Sequence, residues 1–276
     1  MMDIARPERL SSSVWPVVNA PSCWRTIDLI SDLHLQESDV ATFTAWQHYM
    51  TSTQADALFI LGDLFEVWVG DDIAVCEPHQ PLNFEARCQH ILAKASLSMS
   101  LFFMHGNRDF LLGQVAAKAC SMTLLPDPTV LVFDQQRWLL SHGDALCLDD
   151  IPYQQFRKQV RTETWCREFL AKPLGERQAM GRSLRAQSTS HKAMNVEVNI
   201  VAAQHWLDAA DAPTLIHGHT HHLCDRILSP ASAQHQRCLA LGDWNMSATP
   251  PRSEVLRLST GCASLFHSVS KLGCGQ

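Results

Sequence analysis

Four histidines fall within six residues, His217, His219, His221 and His222, and the remaining metal-type residues stand in short groups along the chain. These groups are Asp32-x-His34, Gly62-Asp63, Gly106-Asn107-Arg108-Asp109, His142-Gly143-Asp144 and His217-Gly218-His219, each directly after its own apolar run. Carboxylate, imidazole and amide-oxygen donors suit hard-to-borderline divalent ions such as Mn²⁺, Fe²⁺ or Zn²⁺, and the lack of thiolates disfavours a structural zinc. Asp32, His34, Asp63, Asn107, His142, His217 and His219 are too many ligands for one ion and suit two. Two ions ~3.5–4 Å apart clamp a phosphate and activate the attacking water. Glycines 62, 106, 143 and 218, beside the donors, let the backbone approach closely and turn sharply.

The elements that must carry these groups follow from the apolar runs. Thr26–Ser31, Ala57–Leu61, Leu101–Met104, Arg137–Ser141 and Thr214–Ile216 are short, and Gly and Asp bound them, so they predict buried strands. A late strand is expected around Cys238–Leu241. Apolar residues recur at three to four in Asp39–Gln54 and Phe84–Leu97, which predicts helices between the strands and an α/β layered fold. In such folds ligands gather where strand C-termini release their loops, so the five polar loops open on one site. The expected organisation is an N-terminal extension over 1–24, a core over 25–151 and 198–262, a helical insertion over 152–197 and a C-terminal tail over 263–276. The insertion holds nine basic and four acidic residues, +5 in a chain of −6, which points it at an anion or an anionic surface. None of the seven candidate ligands lies inside it, so excising about 155–193 is expected to leave the metal site intact.

Composition narrows the class. With 276 residues, 46% of them hydrophobic and 18% charged, the chain is long enough for a real core and is not disordered. No apolar stretch approaches the ~18 residues that span a bilayer. The net charge of −6 argues against nucleic acid as a partner. Ten cysteines include no C-x-x-C pair and read as small buried hydrophobes in a reducing, cytoplasmic setting.

The motif set resembles the calcineurin-like metallophosphoesterases. That resemblance implies one ion on Asp32, His34 and His219, another on Asn107, His142 and His217, and Asp63 bridging both. Arg108 stands where the wider family has histidine, which replaces a candidate general acid by a planar cation for phosphate oxygens. The strings SDLHL (31–35), GDLFEVWVGDD (62–72), HGNRDFLLG (105–113), HGDALCLDD (142–150) and IHGHTHH (216–222) are similar to one branch, the UDP-2,3-diacylglucosamine diphosphatases of the lipid A pathway. The branch implies a four-layered α/β metallophosphoesterase β-sandwich flanked by helices, with the helical insertion as a lid. It implies water attack at the α-phosphorus of UDP-2,3-diacylglucosamine, Mn²⁺ as the usual ion, and peripheral attachment to the cytoplasmic face of the inner membrane in Gram-negative bacteria. Catalytic roles are then expected for Asp63, Asn107, Arg108 and His217. Substrate contacts are expected from Asn107, Arg108, Asp150, Tyr153, Ser188, Lys192 and His217. Acyl chains are expected on Tyr153, Phe156, Val160, Phe169 and Leu184, and His221 and His222 at the surface or behind the ligands. Leu241-Gly242-Asp243-Trp244 resembles a structural L-G-x-W of the branch. Two other readings are a two-metal phosphoesterase for a soluble nucleotide or phosphoprotein, and a non-catalytic scaffold, against which the filled ligand positions argue.

Overall fold

Each apolar run forms a strand because its alternate side chains have two different layers to enter. The computed structural model describes residues 15–77, 79–190, 197–228 and 236–268. One sheet holds β2 (Thr26–Ile30), β3 (Ala57–Leu61), β4 (Ser100–Met104) and β5 (Met122–Leu125) in parallel, extended antiparallel by β11 (Glu254–Ser259) and β12 (Cys262–Ser268). The other has the order β1 (Val17–Asn19), β6 (Thr129–Phe133), β7 (Gln136–Ser141), β8 (Thr214–His217), β10 (Arg237–Ala240) and β9 (Cys224–Ile227). Ile27, Leu29, Phe59, Leu61, Leu140 and Ile216 fill the space between the sheets. The alternate residues Ile30, Leu58, Ile60 and Phe103 face outward into a core with α1 (Val40–Ser52), α2 (Phe84–Ala95) and α3 (Gln114–Ala119). Leu139 and Leu215 face α7 (Ile200–Ala210) on the far side. The period of two within each strand thus yields four layers, helix, sheet, sheet, helix, as expected.

Both ends differ from expectation. Val17–Asn19 pairs in register with Val130–Val132, and Trp15 packs on Trp206 at 5.6 Å, so part of the supposed N-terminal extension is an edge strand. Cys262–Ser268 pairs with β11, so the first residues of the supposed tail belong to the sheet.

The insertion forms α4 (Ile151–Val160), α5 (Glu163–Leu170) and α6 (Leu174–Ser190). Asp150 and Thr162 cap the first two with side-chain oxygens on the backbone N–H three residues ahead. The helices are fastened to the core. Phe169 is buried in the same cluster as Trp68 and Ile73. Arg177 is buried, forks onto the Asp72 carboxylate and donates to the Val69 carbonyl. Arg157 donates to buried Asp144 at 2.8 Å, Arg161 to the Gly106 carbonyl at 2.9 Å, and Arg185 pairs with Glu66. Four of the nine basic residues therefore neutralise core carboxylates rather than face an external anion. Tyr153, Val160 and Phe169 turn inward, which leaves Phe156 and Leu184 of the expected acyl-binding set exposed. Excision of 155–193 would expose core and leave buried Asp144 without Arg157 and Arg161, so the insertion is not a detachable cover.

Candidate metal centre

Five loops at the C-terminal ends of β2, β3, β4, β7 and β8 converge, and backbone hydrogen bonds hold them in register. Asp32 N–H donates to the Gly62 carbonyl at 3.1 Å and His34 N–H to that of Asp63 at 3.0 Å. Asp109, fully buried, accepts from the backbone N–H of Gly106 at 2.9 Å and Leu64 at 2.7 Å, tying the β3 and β4 loops together. The approach is so close that a Cβ on Gly106 would lie 2.1 Å from Asp63 Oδ1, and one on Gly218 1.9 Å from Ser31 Oγ. Asp32, His34, Asp63, His219 and His221 all have φ between 48° and 67°. This left-handed region costs most residues about 1–2 kcal/mol and is most tolerable to Gly, Asn, Asp and His.

The side chains form two groups. In the first, Asp32 Oδ2 accepts from Ser31 Oγ at 2.6 Å and His219 N–H at 2.8 Å, which aims Oδ1 at His221 Nε2, 3.4 Å away. His34 Nε2 lies 3.2 Å from His221 Nε2 and 3.9 Å from Asp32 Oδ1. In the second, the Asn107 Oδ1 stands 3.0 Å from His142 Nε2 and 2.9 Å from His219 Nδ1. Asp63 lies between them, Oδ2 at 3.9 Å from His34 Nε2 and Oδ1 at 3.8 Å from His142 Nε2.

These donors fit a cation on their own chemistry. Asp32 Oδ1 is buried and accepts no hydrogen bond. Ligands bound at ~2.0–2.1 Å around one ion sit ~2.9–3.4 Å apart; His221 Nε2 lies at such a distance from both Asp32 Oδ1 and His34 Nε2, while the Asp32–His34 pair is wider, at 3.9 Å. Turned over, the Asn107 amide would donate to both imidazoles and to Asp63 and accept from Arg108 Nε at 3.3 Å. The orientation with oxygen inward is the one a cation requires.

Groups behind the ligands set their protonation. His142 Nδ1 lies 2.8 Å from the Leu61 carbonyl, to which it donates, leaving Nε2 free for a ligand bond. Glu66 Oε2 is 3.1 Å from His34 Nδ1. Asp243, gripped by Arg252 at 2.6 and 2.8 Å, stands 3.8 Å from His221 Nδ1. Burial pushes His34 below its usual range and His217 and His219 down to about 4, the neutral form that binds metals. Burial works against charge on His142 too, yet the Asp63, Asp144 and Asp32 carboxylates outweigh it and lift His142 to about 9. A cation entering here therefore displaces a proton. Asp32 is held far below the usual carboxylate range against its burial, first by the His221 imidazole beside it.

His221 stands beside Asp32 and His34, and His219 beside Asn107 and His142, where the expectation had His219 and His217. His217 is the last residue of β8, paired with Ser141 and Ala240, and its Nδ1 lies 2.8 Å from the Gly218 carbonyl. That contact leaves His217 Nε2 open for a ligand bond, as the Leu61 carbonyl does for His142, while His219 and His221 stand on the loop beyond the strand. Replacing His221 by Ala is expected to lower Mn²⁺ stoichiometry after desalting from about two to about one per chain, while His217→Ala keeps about two. Equal losses would restore the earlier register.

The substrate-side residues are placed unequally. Arg108 adjoins the centre, its N–H donating to Asp63 Oδ1 at 2.8 Å. Asp150 Oδ1 caps α4 through Tyr153 N–H at 3.0 Å. Tyr153 donates its hydroxyl to Asp144 Oδ2 at 2.5 Å and stacks on His219 at 5.9 Å. The Ser188 side chain and Lys192 lie outside the described residues. Glu66, Asp109, Asp144 and Asp243 stand in the sequence motifs, but their supporting roles were not anticipated there.

The calcineurin-like phosphoesterase family model matches residues 25–223. The chain is 42% identical to a UDP-2,3-diacylglucosamine hydrolase of Aromatoleum aromaticum, covering 79% of this chain and 89% of that protein. It is 39% identical to one of Bordetella pertussis, with 81% and 88% covered, and 44% identical to one of Chromobacterium violaceum, with 71% and 82% covered.

Proposed function

The chain belongs to the calcineurin-like phosphoesterase family and, within it, to the group of the UDP-2,3-diacylglucosamine hydrolases, and we propose on that footing that it hydrolyses the diphosphate of UDP-2,3-diacylglucosamine. The products are UMP and 2,3-diacylglucosamine 1-phosphate. The observation that carries the reading is Asp63, whose two oxygens face two separate ligand groups at 3.8 and 3.9 Å.

In this reading Asp32, His34 and His221 hold one divalent ion, and Asn107, His142 and His219 the other, with Asp63 shared. When bound, the ions, Mn²⁺ by likeness to the family, would polarise the phosphoryl oxygens and lower the pKa of the attacking water. Arg108 adds a permanent cation on the phosphate side, where a planar fork matches two oxygens. The catalytic and substrate roles expected of His217 pass to His219. Asp150 spends one oxygen on the α4 cap, and its other oxygen is left for a sugar hydroxyl. No described helix is long and apolar enough to cross a membrane. Exposed Leu148, Ile151, Phe156 and Leu184, at the start of and along the insertion, support a lipid substrate and peripheral attachment at the cytoplasmic face of a Gram-negative inner membrane.

Hydrolysis in ¹⁸O-water by the Mn²⁺-loaded protein tests the reaction and its direction together. Mass spectrometry is expected to find the label in UMP, because attack at the α-phosphorus expels the sugar phosphate. Label in the lipid product overturns the regiochemistry. Turnover of bis(p-nitrophenyl) phosphate with none of the lipid nucleotide moves the reading to a soluble phosphodiester.

A further inference from the structure

Each of the two ligand groups has a carboxylate behind it, and each carboxylate is held by arginines of the insertion. Behind Asn107, His142 and His219 lies Asp144, fully buried, two residues after His142. Its Oδ2 accepts from Tyr153 at 2.5 Å, from Arg157 Nε at 2.8 Å and from Arg161 Nη2 at 3.5 Å. Tyr153 lays its ring on His219, with the two planes 27° apart. The same Arg161 nitrogen donates to the Gly106 carbonyl, in the residue before Asn107. Behind Asp32, His34 and His221 lies Glu66, 3.1 Å from His34 Nδ1 and paired with Arg185 of α6. A third fastening, Arg177 on Asp72, joins a buried arginine to an exposed carboxylate and backs no ligand: Asp72 sits in the turn Asp71–Ala74.

We propose that the insertion is part of the metal-binding apparatus: Glu66, held by α6, is a positioning residue for the His34 imidazole at Nδ1, and Asp144, held by α4, positions the Tyr153 ring that lies on His219. This rests on the two-cation reading above. The physical reason is direct. An imidazole that must present one nitrogen to a cation needs its ring orientation held from the other side, and removing such a partner costs typically ~10–100-fold in metal affinity. Buried carboxylates can serve only while their own charge is compensated, and the compensating cations here come from the insertion. Linkage then runs both ways: docking of α4 and α6 tightens the cations, and the cations tighten the docking.

The test measures Mn²⁺ binding by equilibrium dialysis and metal analysis, using the full chain. Wild type is expected to take up about two Mn²⁺. Arg161→Gln and Arg185→Gln should each weaken one class of site by ~10-fold or more, and Arg185→Lys should recover part of the loss. Arg177→Gln is the discriminating control. It loosens α6 without touching a carboxylate that faces a ligand, so it should weaken Mn²⁺ affinity by less than Arg185→Gln does. If it weakens both classes as much as the other variants do, the effect is general destabilisation and the proposal is overturned. Unchanged affinity in Arg161→Gln and Arg185→Gln overturns it as well. A wild type that binds no Mn²⁺ fails the metal reading itself, a separate result. Hydrogen exchange on the unmodified protein gives an independent measurement. Mn²⁺ should slow exchange in Ile151–Val160 and Leu174–Ser190 beyond any change in Ile200–Ala210, and equal or absent slowing there contradicts the coupling.

Discussion

Replacing Asp63 by Asn is expected to lower kcat by about 10³-fold or more at saturating Mn²⁺, on the order of 4 kcal/mol of lost transition-state stabilisation. The amide keeps the shape of the carboxylate, and its oxygen can still accept from Arg108 N–H, so the fold should survive. What it loses is the charge and the second oxygen. Asp63 is the residue whose two oxygens face both ligand groups, at 3.9 Å from His34 and 3.8 Å from His142. One change therefore affects both ions and the water held between them. Asn107→Ala, which touches one group, provides the comparison. Kinetics of the two variants at equal metal occupancy decide the point, and an equal loss would refute the shared role of Asp63.

The largest effect on stability is expected far from the site, at Asp28. This residue sits in the middle of β2, is fully buried, and receives two bonds from Arg257 at 2.7 and 2.8 Å, one from Tyr49 at 2.8 Å and one from Thr53 at 2.9 Å. Burial and the Asp28 charge push the Tyr49 hydroxyl well above its usual pKa, so it stays a donor throughout the working pH range. Asp28→Ala leaves a guanidinium and a phenol without their acceptor inside the protein. Removing one partner of such a buried pair costs about 3–5 kcal/mol. Denaturant unfolding should give a loss of that size with little change in slope, and a loss below about 1 kcal/mol would mean that water reaches Arg257.

Asp28 also illustrates how much was legible. The run TIDLIS reads as a strand because four of its six residues, Thr26, Ile27, Leu29 and Ile30, are apolar or β-branched, and the strand is there. That its central carboxylate needs an arginine is a sound expectation. That the arginine is Arg257, in the register-partner position of β11, depends on a pairing 229 residues away. The insertion follows the same logic. Its excess of basic residues can be counted, but Arg157, Arg161, Arg177 and Arg185 meet Asp144, the Gly106 carbonyl, Asp72 and Glu66 only after folding, so the count overstated the charge left for a ligand. At the site, the residue types and four of the five loops were readable from strand ends. The histidine register was not, because His217-Gly218-His219-Thr220-His221 offers three imidazoles at equal spacing. Which of them leave the sheet depends on where β8 stops. The strand β9, Cys224-Asp225-Arg226-Ile227, is exposed along its whole length and carries no alternation to detect.

The left-handed backbone at Asp32, His34, Asp63, His219 and His221 has a consequence for anyone who would move this site elsewhere. A list of ligands and their distances is not a portable motif. Copied onto regular strand ends or helices, the same side chains would leave along different vectors, because the Cα–Cβ directions here come from five unusual φ values held by Gly106, Gly218 and Asp109. A graft would have to carry the loops with their glycines and the buried carboxylate that clamps them, at roughly 1–2 kcal/mol of backbone strain per residue. The recipient must be stable enough to absorb that strain before any cation arrives. The same arithmetic explains why such a centre suits a deep double-sheet scaffold better than a small domain, whose whole stability is about 5–15 kcal/mol.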